Sequence, residues 1–289
     1  MNTNYYIVAG HCFCVSAEDR VLELMTNYEP FVAAQGETVF ALTVKAGEAV
    51  SYVEELRQED EGQDIICGRT FDHPVFEFRW GGRTAGWLEC ESDYRNATLT
   101  TTGYAEKMAV DNALMVLYAL ATAGLNTALF HSAVVSYEGR AYMFLGKSGT
   151  GKSTHASLWL RYINGTELVN DDNPVVRVTD DGMAVVYGSP WSGKTPCYRN
   201  ISYPLGGIVQ LSQAPYNKIK PLKGISAYVV LVPSISGKRW DRQVADGLTR
   251  RRMPWRRQCL RGIWSACPTR LQPSCVTVPS PFNQPSVRA

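Results

Sequence analysis

The sequence predicts an α/β (α+β) protein in which a β-rich N-terminal domain precedes a domain built as strand, glycine-rich loop, helix and strand. Three observations predict it. From Asn4 to about Thr102, β-branched and aromatic runs are punctuated by turn dipeptides. From Glu106 to Leu125 the apolar residues recur at helical spacing. From Ala141 onward an apolar strand runs into Gly146–Ser153 and then into a segment free of Gly and Pro.

The N-terminal strands are read at Tyr5–Val8, Phe13–Val15, Thr38–Val44, Val75–Trp80 and Gly86–Cys90. Ala46-Gly47, Glu61-Gly62 and Gly81-Gly82 separate them as turns, with Trp80–Arg83 as a hairpin tip. His11 and His73 stand alone in this region and are expected to be packed or exposed side chains rather than ligands. The domain is given residues 1–104. The helix Glu106–Leu125 opens the second domain, 105–248; Lys107, Asp111 and Asn112 interrupt its apolar stretch well short of a membrane span.

Gly146, Lys147, Ser148, Gly149, Thr150, Gly151, Lys152 and Ser153 fit G-x-x-x-x-G-K-[ST], followed by Thr154. In such a loop successive backbone N–H groups face a polyphosphate, and glycine lets the main chain approach without a Cβ in the way. The lysine places an ammonium at the β- and γ-phosphates, and the serine hydroxyl is offered to Mg²⁺. The helix that follows adds the partial positive charge of its N-terminus. ATP and Mg²⁺ are therefore the expected cofactors. Next, Glu167–Asn170 reads as a strand ending in Asp171-Asp172, which brings carboxylates toward the metal and the γ-phosphate; a solvated strand end or a metal-only site is the other reading. His131 lies in the strand Leu129–Tyr137, paired through the turn Glu138-Gly139 with the strand that delivers the loop. It is read either as a core histidine or as a catalytic one.

Beyond this, Pro174–Val178 and Met183–Tyr187 form a hairpin, Gly188–Lys194 a turn-rich loop with one cation, and Leu205–Leu211 and Ala227–Val232 buried strands. Trp240–Leu248 begins a short helix. No Asp or Glu follows Asp246, whereas 27 acids spread evenly over the chain would put about four there. Arginines and a Pro/Ser-rich end take over in 249–289. The break is either a basic arm for an acidic partner or a tail that is not native sequence from near Thr249, and in both cases a poorly ordered end is expected.

The chain has 289 residues, a net charge of +2 and 19% charged residues, so the overall balance implies neither nucleic acid nor a membrane surface. Eight irregularly spaced cysteines make no disulfide framework, and Cys12-Phe13-Cys14 is too closely spaced for paired zinc ligands. Met1–Asn4 lacks the basic start of a secretory signal, and a cytoplasmic location is expected.

The segment Phe130–Asp172 resembles the catalytic domain of HPr kinase/phosphorylase and its relatives, P-loop kinases that share a fold with phosphoenolpyruvate carboxykinase. The resemblance rests on His131, on the run Gly146–Thr154, and on Leu168-Val169-Asn170-Asp171-Asp172. It implies that Lys152 and Ser153 hold phosphates and Mg²⁺, and that one of Asp171 and Asp172 accepts the proton of an attacking hydroxyl while the other supports the metal. Ser153 and Asp171 are the metal candidates. His131 would sit beside the basic carboxylate. The glycine-rich, Asp-containing signature that follows the acid pair in enzymes acting on HPr has no counterpart here, which argues against HPr itself. The implied acceptor is a hydroxyl, on a serine of a protein or peptide or on a small molecule, with Lys194 as a substrate or phosphate contact. The family often forms oligomers. The reading from another class is a nucleotide-binding regulator or scaffold that transfers nothing.

Overall fold

The computed structural model describes residues 1–71, 73–214, 218–222, 224–237 and 263–267. They form an α+β fold with two mixed β-sheets and a few helices, in two compact units built on Met1–Gly124 and on Leu125–Ser236.

In the first unit the elements are β1 (Asn2–Val8), β2 (His11–Ala17), α1 (Asp19–Leu22), β3 (Val32–Ala33), β4 (Phe40–Ala46), β5 (Val53–Asp60), β6 (Gln63–Thr70), β7 (His73–Trp80), β8 (Arg83–Cys90), β9 (Asn96–Thr101) and α2 (Glu106–Thr122). The strands lie in the order β3-β1-β2-β4-β9-β8-β7-β6-β5. β4 runs parallel to both neighbours, and the other pairings are antiparallel. The β1–β2, β5–β6 and β7–β8 hairpins turn on two residues with positive φ, as at Gly81 (55°) and Gly82 (76°), the turn whose twist matches that of the strands it joins. α2 buries Ala109, Val110, Ala113, Leu114, Leu117 and Tyr118 against β4, β7, β8 and β9. Phe13 stacks on Phe40 at 4.8 Å, and the Tyr118 hydroxyl donates to the Val8 carbonyl at 3.0 Å. The sequence reading had α2 opening the second domain; it lies within the first unit.

The second unit holds β10 (Thr127–Phe130), β11 (Ser132–Tyr137), β12 (Arg140–Leu145), α3 (Lys152–Tyr162), β13 (Glu167–Asn170), β14 (Val175–Val178), β15 (Ala184–Tyr187), β16 (Ser202–Leu211), β17 (Lys218–Pro221), α4 (Gly224–Leu231), β18 (Ile235–Ser236) and β19 (Ile263–Cys267). The order is β13-β11-β12-β16-β15-β14-β10-β18, with β19 on β16 and β17 on β19. β12 runs parallel to β16, and β11 is antiparallel to both β12 and β13. The start of β12's loop and the end of β13 therefore fall at the same end of the sheet.

Three expectations are corrected. Ala227–Val232, expected as a strand, lies mostly in α4: Ala227 and Leu231 are buried while Ile225 and Val229 are exposed, a four-residue repeat that a short all-apolar run conceals. Leu129–Tyr137, expected as one strand, breaks at His131 between β10 and β11. In the first unit β3, β5, β6 and β9 were not among the expected strands; β5, Val-Glu-Glu-Leu-Arg-Gln-Glu-Asp, is exposed throughout and shows no apolar alternation, so only its pairing with β6 defines it. The helix expected at Trp240–Leu248 lies outside the described residues, as does the tail 249–289 apart from β19.

α3 turns Ala156, Trp159 and His155 inward. Trp159 lies 5.2 Å from Tyr142, 5.5 Å from Phe144 and 6.4 Å from Tyr137, over a core of Ala133, Val135, Val209 and Leu211. His155 meets the Phe144 ring edge-on at 4.7 Å, and burial drives its pKa down to about 4. In the unfolded chain an ordinary histidine takes up its proton near pH 6.5. The unfolded state therefore binds more protons than the folded state between pH 6.5 and 4, and stability falls as the pH drops through that window. Relative to His155→Leu, the wild-type protein is expected to lose about 2 kcal/mol of stability between pH 7 and pH 5 in urea unfolding. Equal losses in the two proteins would show that His155 is not the group responsible.

Candidate functional site

The glycine-rich loop leaves the buried end of β12 at Leu145 and enters α3 at Lys152. Gly151, the residue before the helix, has φ 101°, and Gly149 has φ 76°, conformations that side chains rarely adopt. Gly146 is required for a different reason: a Cβ there would lie 3.0 to 3.2 Å from the Thr150 side chain. The loop closes on itself as Thr150 donates through N–H (3.1 Å) and hydroxyl (2.6 Å) to the Lys147 carbonyl. Gln213, just past β16, donates to the Gly149 carbonyl at 3.2 Å. Lys147, Ser148, Gly149, Ser153 and Thr154 are exposed at the loop and at the first turn of α3.

Lys152 turns inward from that turn. Its ammonium donates to the Gly146 carbonyl at 3.1 Å and lies 2.8 Å from His131 Nε2. The opposite ring nitrogen, Nδ1, lies 2.9 Å from Asp172 Oδ1. An ammonium can only donate and a carboxylate can only accept, so the pattern assigns a neutral imidazole with its proton on Nδ1. The loop lysine, the histidine and the second acid thus stand in one hydrogen-bonded line. The break at His131 makes this geometry: the His131 N–H donates to Ser234 O at 2.7 Å and the Phe130 N–H to Pro174 O at 3.0 Å, so the chain crosses from one strand to the next with the imidazole at the sheet end.

The two acids differ. Asp172 is partly exposed; besides His131, its Oδ2 accepts from Asn173 Nδ2 at 2.7 Å. Asp171 is 5% exposed, and neither of its carboxylate oxygens has a hydrogen-bond partner among the described residues. An unmet buried carboxylate is costly, and a cation is the complement it calls for. Among the described residues no three His, Cys, Asp or Glu side chains converge into a metal cage. A Mg²⁺ held with a nucleotide draws mostly on phosphate oxygens and water, with one or two protein ligands, so a single carboxylate and a hydroxyl suit it.

The loop Gly188–Lys194 lies directly against the acid pair. A Cβ at Gly193 would stand 3.1 Å from Asp172 Cβ and 3.3 Å from the Asp171 carbonyl. Lys194, one residue on, is exposed. Ser189, fully buried, donates to the Asn173 carbonyl at 2.6 Å, and the Asn173 N–H donates to the Trp191 carbonyl at 3.2 Å. The structure thus brings Lys152, His131 and Asp172 into one line, sets Asp171 next to it in sequence, and packs the 188–194 loop on both acids. Sequence reasoning missed Asn170, Asn173, Ser189, Gly193 and Gln213. Asn170, Asn173, Ser189 and Gln213 act through side chains on neighbours brought close by folding, and Gly193 by carrying none, and no residue spacing announces that.

Among the described residues, no helix is long and apolar enough to cross a membrane. The chain matches no protein-family model and no curated protein. Among solved structures, the HPr(Ser) kinase/phosphatase from Coxiella burnetii is similar over 32% of this chain and 77% of that chain, at 11% sequence identity and a TM-score of 0.25. A likeness of that size marks at most a remote fold relationship, and the chemistry of the site is argued from the residues of this chain alone.

Proposed function

We propose that the chain is an ATP- and Mg²⁺-dependent, HPr kinase-like phosphotransferase that acts in the cytoplasm on a hydroxyl, either a serine of a protein or peptide or a hydroxylated small molecule. The observation that carries this reading is the line Lys152–His131–Asp172, which ties the lysine of a phosphate-type loop to a carboxylate through one imidazole. Bound Mg-ATP would supply the transferable phosphoryl group and the metal that neutralises its charge.

The protein's own part is positioning and proton handling. The backbone from Gly146 to Gly151 and the Lys152 ammonium hold the phosphates, with Ser153 and Thr154 at the first turn of α3. Ser153 and the unmet carboxylate of Asp171 serve the metal. Asp172, the more exposed of the acids, accepts the proton of the attacking hydroxyl. His131, neutral and protonated on Nδ1, donates to Asp172 and keeps it aimed. Once Lys152 turns to phosphate, His131 Nε2 loses its donor and can accept from water or the acceptor. Gly193 leaves room beside Asp172, and Lys194 at the rim is placed to meet an anionic part of the acceptor or a phosphate.

Asp172→Asn is expected to lower transfer by about 10²–10⁴-fold, with Mg-ATP affinity unchanged, as read by calorimetry and by mass spectrometry of candidate acceptors. Lys152→Ala is expected to weaken nucleotide binding itself. Wild-type protein that binds Mg-ATP yet phosphorylates nothing would favour a nucleotide-sensing regulator instead.

Gly193→Ala tests the fit between loop and acid. The added methyl must displace Asp172 by a few tenths of an ångström, and transfer is expected to fall about tenfold at unchanged nucleotide affinity. Full activity in that variant would mean that Asp172 does not need its observed place.

A further inference from the structure

We infer that Asn170 is the positioning residue of the acid pair, a side chain that joins Asp172 directly to the 188–194 loop, and that acceptor phosphorylation depends on it. The inference deepens the kinase reading and rests on it for its catalytic part. Asn170 is the last residue of β13 and has no exposed surface. Its Oδ1 accepts from the Asp172 N–H at 2.8 Å. Its Nδ2 donates to Ser189 Oγ at 3.1 Å and to the Trp191 carbonyl at 3.2 Å. One carboxamide therefore spends an acceptor on the acid and both donors on the loop that packs over it, a combination open to Asn but not to Asp, Leu or Ser.

The surrounding backbone shows why a tie is needed there. β13 leaves its ladder with β11 irregularly, with a register shift between Val134 and Val135, so the strand pairing alone does not set the direction in which the chain departs. Two hydrogen bonds to Asp172 take over: Asn170 Oδ1 on its N–H, and the Ser132 N–H on its carbonyl at 2.8 Å. Ser132 is the neighbour of His131. The same peptide units thus place both members of the His131–Asp172 pair, and Asn170 holds the side of it that faces the loop. Without the carboxamide, the Asp172 N–H and the Trp191 carbonyl each lose a buried partner, and the carboxylate is free to swing off Nδ1.

The test uses the full chain and a readout that a merely structural residue would not move. In ¹⁵N spectra of the imidazoles, wild-type His131 is expected to show the Nδ1–H tautomer. In Asn170→Ala it is expected to show a mixture, with transfer down by about 100-fold and Mg-ATP affinity within twofold of wild type. Should the alanine variant not fold, Ser189→Ala, which removes one of the two acceptors of the carboxamide, is expected to give the same spectral change with about a tenfold loss of transfer. An unchanged His131 spectrum with unchanged transfer in a folded variant would overturn the assignment, as would nucleotide affinity falling in step with transfer. If wild-type protein transfers no phosphate, the kinase reading fails by itself, and the imidazole spectra alone decide whether Asn170 positions the acid.

Discussion

A neutral imidazole held between an ammonium and a carboxylate is the interaction on which the site depends. It solves an electrostatic problem. Lys152 and Asp172 belong to different segments, one at the head of a helix and the other past the end of a strand, and both must point at one small volume. Direct contact would collapse them into an ion pair. The His131 ring keeps them one imidazole apart and gives each a hydrogen-bond partner, at 2.8 Å on one side and 2.9 Å on the other. Because ammonium donates and carboxylate accepts, the ring carries no net charge in this arrangement. The lysine is also bound to the Gly146 carbonyl, a neutral acceptor that competes weakly with a polyphosphate.

The sheet makes that geometry cheap. β11 lies between β12 and β13, antiparallel to each, so β12 and β13 run in the same direction and release the glycine-rich loop and the acid pair at the same end. β11 begins at that end, and the residue before it is His131. Beneath, Trp159 and His155 of α3 pack on Tyr142 and Phe144 of β12. That packing fixes the first turn of the helix against the strand that feeds it. Burial of His155 as a neutral ring is part of this core and has no role in the line of polar groups at the sheet end.

Much of this was legible in the sequence where information is local. The glycine and lysine spacing of 146–153 fits the pattern of a loop whose backbone approaches phosphate, and the hairpins at Glu61-Gly62, Gly81-Gly82 and Glu138-Gly139 follow from φ alone. Asp171-Asp172 could be placed at a strand end, but their division of labour could not. One is buried without a hydrogen-bond partner among the described residues and the other partly exposed on a histidine, a difference that comes from packing. Asn170 looked like one more strand-end residue, because its partners Ser189 and Trp191 lie 19 and 21 residues away. The apolar run in α4 was misread because six apolar residues fit a buried strand and a buried helix equally well until the exposed Ile225 and Val229 set the period. The all-exposed β5 carries no burial pattern to read, and its place comes from β6.

The protein supplies its own comparison for the buried acid. Glu77, in the first unit, is 3% exposed, and burial alone would raise its carboxyl pKa. Hydrogen bonds from Arg79 at 2.7 Å, Thr84 at 2.5 Å and Tyr52 at 2.5 Å reverse that and hold it below the usual range. There the fold surrounds a structural carboxylate with donors until both oxygens are satisfied. Asp171 is buried to nearly the same degree, and among the described residues it has been given none. Its neighbours Asn170, Asp172 and Asn173 are all hydrogen-bonded, so polar groups are not lacking at this strand end. A chain that surrounds one buried acid with donors and gives another none among the described residues, one residue from the Asp172 that His131 links to Lys152, sets the second acid apart from a structural carboxylate. On the function proposed above, a divalent cation arriving with a nucleotide would be the complement of that carboxylate.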